Sequence, residues 1–245
     1  MGRIGIGTPQ ANPTVEAEMA ILLPRACSLH ITRLTSRAKS PEGRLEAYLR
    51  DLESYLAAYD TLRPDVFGFA CTGSSYLLGA RAEERLIAKA RARFGYPVET
   101  ASRAIVWSLE RLGAKRIALV APYPATLIEA ASRYWAAAGI EVLCTHRIPT
   151  RTVDTRGIYE LSSDQVGEAL RALPQDGLDA VLVSGTGLPS LPALRYRAAG
   201  VPTICSTMCL AARLVDLLGF GDWLDPSSPL IRGWEHRLDE ALASS

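Results

Sequence analysis

Residues 65–77, "DVFGFACTGSSYL", and residues 179–191, "DAVLVSGTGLPSL", are two versions of one phrase. Each opens on an aspartate, runs through five mostly apolar residues and breaks into a turn of small residues. Asp65 aligns with Asp179, Thr72 with Thr186, Gly73 with Gly187 and Leu77 with Leu191, all at an offset of 114. Where the first copy carries Cys71, the second carries Gly185.

The repetition extends outward. "RIGIGTPQANPTVEAEMAILL" (3–23) has the plan of "RIALVAPYPATLIEAASRYW" (116–135): a basic residue, an apolar strand, a proline turn and an amphipathic helix. Pro9 aligns with Pro122 at an offset of 113. Each half then offers a second strand, "LHITRL" (29–34) or "IEVLCTHRI" (140–148), and a helix, around 43–59 or 163–172. The aspartate-led strands follow, and after them "GYPVETAS" (95–102) or "GVPTICST" (200–207). Apolar strands alternating with helices predict βαβ units around parallel sheets covered on both faces. A period of this length is too long for a solenoid, so the fold class expected is α/β, with two pseudosymmetric doubly wound lobes. The first lobe is expected over 1–103 and the second over 104–205, joined by a helix over 101–116. A helical tail over 206–245 is expected to pack back on the first lobe, with a loop around Pro226 and Pro229 before a last short helix. Ligands of open parallel sheets sit beyond the carboxyl ends of the strands. The two proline turns and the two Thr-Gly turns all lie there, and two facing lobes would bring them to one cleft.

Composition narrows the partners. In 245 residues, Lys and Arg number 27 against 26 Asp and Glu, so no basic excess points to nucleic acid or an anionic membrane. No apolar run is long enough to span a bilayer. The start, "MGRIGIGTPQ", lacks a signal-peptide profile, and five cysteines without a CxxC pair suit reduced thiols, so the expected location is cytoplasmic. The three histidines have no metal-ligand spacing. "GIGTPQ" fails the dinucleotide pattern, because Gln10 stands where the third glycine belongs. No cofactor is expected. The composition leaves monomer or homo-oligomer open.

A cysteine ending an apolar strand is an ordinary buried hydrophobe more often than a nucleophile. Here the "CTGSS" turn adds hydroxyls and backbone N–H groups, which bind anions and lower a thiol's pKa. "SGTG" (184–187) has the same cradle without the thiol, although two glycines also make a plain tight turn. Asn12 and Tyr123 occupy the proline turns, where an Asn otherwise caps a helix and a Tyr otherwise packs. Cys27, Cys144, Cys205 and Cys209 read as packing residues. The stretch 151–161 reads as a surface loop, with closure over the cleft as the alternative.

On "PQANPTVE", "GFACTGSS", "RIALVAPY" and "VLVSGTG", in that order, residues 3–220 resemble the aspartate/glutamate racemase superfamily. They resemble most its branch with maleate cis–trans isomerase and arylmalonate decarboxylase. The resemblance implies a cofactor-independent enzyme with its site between the lobes. The racemases and the isomerase have a cysteine in each lobe, and the decarboxylase only the second. Cys71 opposite Gly185 is the mirror image of the decarboxylase arrangement. By the same resemblance Asn12, Thr72, Gly73, Tyr123, Gly185, Thr186 and Gly187 would bind a small carboxylate substrate.

One thiol does not serve a two-base racemisation. It suffices to protonate an enediolate left by decarboxylation of a small, aryl-bearing malonate, with Leu78, Leu188 and Leu191 around the departing carboxylate. It also suffices as a nucleophile for maleate-type isomerisation. The one-donor logic tilts to the decarboxylase, with the isomerase second and a non-catalytic carboxylate-binding protein third.

Overall fold

The computed structural model describes residues 2–152, 154–174, 176–195, 200–220 and 229–243. The first half begins with β1 (Gly2–Pro9), α1 (Thr14–Leu22), β2 (Cys27–Leu34), α2 (Pro41–Arg50) and α3 (Leu52–Ala57). It continues through β3 (Val66–Phe69), α4 (Thr72–Leu78), α5 (Ala80–Phe94), β4 (Val98–Thr100) and α6 (Ala101–Arg111). The second half runs β5 (Arg116–Ala121), α7 (Ala125–Ala137), β6 (Glu141–Arg147), a 3-10 helix over Thr155–Glu160, α8 (Ser163–Arg171) and β7 (Ala180–Val183). A 3-10 helix over Leu191–Arg195, β8 (Thr203–Cys205), α9 (Ser206–Leu217) and α10 (Pro229–Ala243) complete it.

The sheets are ordered β2-β1-β3-β4 and β6-β5-β7-β8, with every pairing parallel. This is the two-lobed α/β architecture expected from the repeat. The duplication reaches single hydrogen bonds. Asp65 N donates to Arg3 O at 2.8 Å and Asp179 N to Arg116 O at 2.7 Å. At the other end Ala70 N donates to Gly7 O and Ser184 N to Val120 O, both at 2.8 Å. The central strands β3, β5 and β7 are buried, as near-continuous apolar strands covered on both faces should be. β6 alternates exposed and half-buried residues, as befits the edge it occupies.

The helices begin where their caps dictate. Ser40 Oγ accepts from Gly43 N at 3.0 Å ahead of Pro41, and Ser162 and Gln165 form a reciprocal capping box on α8. The helix expected around 43–59 is two, α2 and α3, because the chain bends at Asp51, where ψ reaches 15°. The bend keeps Leu45, Tyr48 and Leu49 of α2 and Leu52, Tyr55 and Leu56 of α3 all in the core. The helix expected over 101–116 ends at Arg111, since Gly113, at a φ of 65°, turns the chain into β5. α10 has 15 residues and is not the short helix expected. Pro226 lies outside the described residues. No helix among the described residues is long and apolar enough to cross a membrane.

Candidate active site

In both sheets the order of strands reverses beside the first strand, so a crevice opens between the carboxyl ends of β1 and β3, and of β5 and β7. Four turns leave these ends, and they meet in one cleft lined by Pro9, Asn12, Cys71, Thr72, Gly73, Tyr123, Gly185, Thr186 and Gly187. All eight residues singled out from sequence are among them.

Cys71 caps α4 in extended conformation, 5 % exposed, and its Sγ accepts from Ser74 Oγ at 3.2 Å. Burial pushes its thiol pKa up, while the Ser74 hydroxyl, the N–H groups of Ser74 and Gly73, and Arg44 all favour the thiolate. Cys71 is therefore a thiol at rest, set among groups that stabilise its anion.

Around it runs a chain of hydroxyls. Thr72 Oγ1 and Tyr123 OH lie 2.7 Å apart, Tyr123 OH and Ser184 Oγ 3.3 Å, and Ser184 Oγ and Tyr76 OH 2.8 Å. Burial first, and then the nearby Cys71, raise Tyr123 to about 12 against the pull of its hydrogen bonds, so its hydroxyl keeps its proton and can donate it. Asn12 does two things at once. Its Oδ1 accepts from Thr14 N at 2.9 Å and Val15 N at 3.3 Å, capping α1, while its buried Nδ2 has no partner among the described residues. An unpaired buried amide is costly, and a ligand oxygen would relieve it.

The second-lobe wall is built from main chain. Thr186 Oγ1 donates to Ala70 O at 2.8 Å, tying the turn to the end of β3 and committing that proton. Thr14 Oγ1 donates to Gly187 O at 2.9 Å. The N–H groups of Thr186 and Gly187 have no acceptor among the described residues and stay open to a ligand. A Cβ on Gly187 would stand 2.5 Å from Tyr159 Cε1, so only glycine admits the ring at that approach.

Other residues completing the cleft escaped sequence reasoning: Arg44, Leu45 and Tyr48 of α2, Leu127 of α7, and Thr155, Arg156, Ile158 and Tyr159. The stretch 151–161 is thus not a plain surface loop. Its 3-10 helix forms part of the cleft wall, with Gly157 and Ile158 buried. Leu78, Leu188 and Leu191 do not line the cleft; Leu188 and Leu191 are core residues, and the apolar lining comes from Leu45, Leu127 and Ile158. No signal in the sequence marks Arg44 and Tyr48: they stand four apart on α2 beside Leu45 and Leu49, and an arginine bordering an apolar helix stripe is ordinary, its stem covering apolar surface.

Two similar lobes, a thiol after the third strand of one, and small-residue turns facing it define the class of two-lobed α/β enzymes seen in the aspartate/glutamate racemase superfamily. Within that class the family model for arylmalonate decarboxylase matches residues 4–228, and the chain belongs to that family. The maleate isomerase of Nocardia farcinica is 31 % identical over 214 residues, which cover 82 % of this chain and 84 % of the relative. A solved structure of the same organism's maleate cis–trans isomerase has a TM-score of 0.82 at 28 % identity, covering 94 % of this chain and 98 % of its own. That protein is a cysteine-to-serine mutant with a covalently bound succinylcysteine intermediate. A crystal structure of arylmalonate decarboxylase shares the fold, with a TM-score of 0.77 at 22 % identity over 97 % of this chain and 99 % of its own.

Proposed function

We propose that the protein isomerises a small cis-unsaturated dicarboxylate of the maleate type, with Cys71 as nucleophile. The observation that carries this reading is Cys71 itself, a buried thiol at the start of α4 that shares one cleft with the small-residue turn of the second lobe. The curated relatives named maleate isomerase support the same reading, as does the covalent cysteine adduct in the Nocardia farcinica mutant, in which another cysteine is replaced by serine.

The chemistry balances with one thiol. Cys71 first gives its proton to solvent and takes one back after release; its Sγ⁻ adds to one alkene carbon, forming a C–S bond, and the π electrons move into the adjacent carboxylate as an enediolate. The former double bond, now single, rotates. The enediolate electrons then re-form the alkene in the trans arrangement and expel the thiolate. No net proton is consumed, so no second cysteine is required. Tyr123 OH, Asn12 Nδ2 and the N–H groups of Thr186 and Gly187 are the donors for the enediolate.

Decarboxylation of a small malonate remains the second reading, and a specific feature favours it. A thiol held protonated by burial is a ready donor to an enediolate, with no base needed first.

Proton NMR in D₂O with maleate, and separately with methylmalonate, distinguishes them. Fumarate formation that Cys71→Ala abolishes supports isomerisation. Loss of carbon dioxide from methylmalonate, with maleate untouched, replaces it with the second reading. No change in either sample removes both.

A further inference from the structure

Two guanidinium groups border the cleft, and a single carboxylate holds both. Arg44 Nη2 lies 2.6 Å from Asp154 Oδ1, with the arginine side chain only 10 % exposed. Arg156 Nη2 lies 2.7 Å from Asp154 Oδ2, and its backbone N donates to Asp154 Oδ1 at 2.9 Å. Hydrogen bonding from Arg156, with help from Arg44, holds the Asp154 carboxyl down at about 2, so it is ionised at any working pH. The pair joins the two lobes, since Arg44 stands on α2 and Asp154 between β6 and α8.

Among the described residues lining the cleft, Arg44 and Arg156 are the charged ones. Two positive charges against the one negative charge of Asp154 leave a surplus of one, and of the two arginines Arg44 is the buried one while Arg156 is exposed. A buried, incompletely neutralised guanidinium is costly and draws an anion. Its flat fork of donors matches a carboxylate in two parallel hydrogen bonds. Arg44 acts on Cys71 through its charge, but the hydrogen-bond donors around the thiol are of a different kind: hydroxyls, an amide and backbone N–H groups, all neutral. The cleft therefore offers two unlike anion sites, one neutral and one cationic.

We propose that Arg44, with Arg156 beside it, receives the second carboxylate of the substrate and makes the cleft selective for dianions over monoanions, with Asp154 holding the arginine in place. This rests on the reading of the cleft as a small-dicarboxylate site. In the isomerisation the neutral donors take the carboxylate that becomes the enediolate, and the arginine takes the one that stays a carboxylate throughout.

The test is calorimetric binding to Cys71→Ala protein, which holds ligand without turning it over, with and without Arg44→Met. The ligands are maleate, succinate, malonate and isocrotonate; the last replaces one carboxylate of maleate by a methyl group. Losing a charge-assisted contact should weaken the dicarboxylates about 10- to 100-fold and leave isocrotonate no weaker than before. Arg44→Lys should fall between, and it carries the test if thermal melts show that Arg44→Met is unfolded. Equal weakening of isocrotonate and maleate, or unchanged binding of the dicarboxylates, overturns the assignment even if fumarate is made. Arg44-dependent binding of malonate or succinate, with no fumarate formed by the Cys71 protein, keeps the subsite and discards the isomerase. Failure of all three dicarboxylates to bind overturns both.

Discussion

The hydroxyl of Tyr123 stands 3.4 Å from the position that a Cβ on Gly185 would occupy. The space left beside the glycine is thus bordered by a donor whose proton burial retains. The same hydroxyl spans the lobes, reaching Thr72 on one side and Ser184 on the other. Tyr123→Phe should lower kcat about 10²- to 10³-fold, the range for losing one preorganised donor to a developing oxyanion. KM should move far less. Steady-state kinetics and a thermal melt decide this; a loss confined to KM would make Tyr123 a plain binding group.

Gly185 has a φ of 131°, a region that residues with a Cβ rarely adopt. Gly185→Ala should therefore cost about 1–3 kcal/mol of stability through backbone strain. Urea denaturation measures it. Gly185→Cys carries the same strain, so adding back a second-lobe cysteine should not by itself create a racemase. A Gly185→Ala protein as stable as its parent would show that the backbone relaxes freely at this turn.

The Cys71 thiol lies above its ordinary pKa because it is buried, so only a small thiolate fraction exists near neutrality. For a nucleophile that fraction limits the rate, and kcat/KM should rise roughly tenfold per pH unit from about pH 6 to about pH 9. A Cys71 that donates a proton gives the opposite slope once the thiol ionises. The pH–rate profile thus separates the two chemistries independently of product identity.

Glu18 of α1 is buried, and its Oε1 accepts from Ser190 N at 2.6 Å and Leu191 N at 3.0 Å across the lobe interface. Burial raises its pKa from 4.5 to about 7 despite those bonds. The folded state thus holds the proton more tightly than the unfolded chain. The resulting stability is complete below about pH 4.5 and is lost as pH rises through about 7; the whole loss is roughly 3 kcal/mol. Glu18→Gln keeps an acceptor for both N–H groups and cannot ionise. The variant should outlast its parent in thermal melts at about pH 8, and the gap should narrow towards about pH 5. A gap independent of pH would mean that Glu18 is neutral, or charged, throughout.

Much of this was legible because the chain states its plan twice. Strands such as "IALVA" and "AVLVS" are apolar throughout, and their turns carry proline or glycine, so order and pairing followed from repetition. The cleft residues on those turns followed too, since strand ends are where such folds bind. Arg44, Tyr48 and Tyr159 did not, because they come from α2 and the 155–160 helix, where no motif marks a wall. The symmetry also failed where it was not repeated. Where α5 runs from Ala80 to Phe94 between β3 and β4, the described residues between β7 and β8 hold the short 3-10 helix Leu191–Arg195. The leucines assigned to the pocket were misplaced because a strand-to-helix turn sends its next apolar residues into the core.

The junctions at the two fourth strands have one further consequence. β4 runs directly into α6 and β8 directly into α9, and these two helices pack against each other. α9 also crosses onto the other sheet, where a Cβ on Gly68 of β3 would lie 2.7 Å from Leu214 Cδ1. α9 thus roofs the sheet with which the chain began. Cutting between the repeats, near Gly113, would strip β3 of that roof and expose apolar surface on the first fragment. The molecule was written as two copies of one sentence, yet it folds as a clasp that closes only when α9 reaches its third strand.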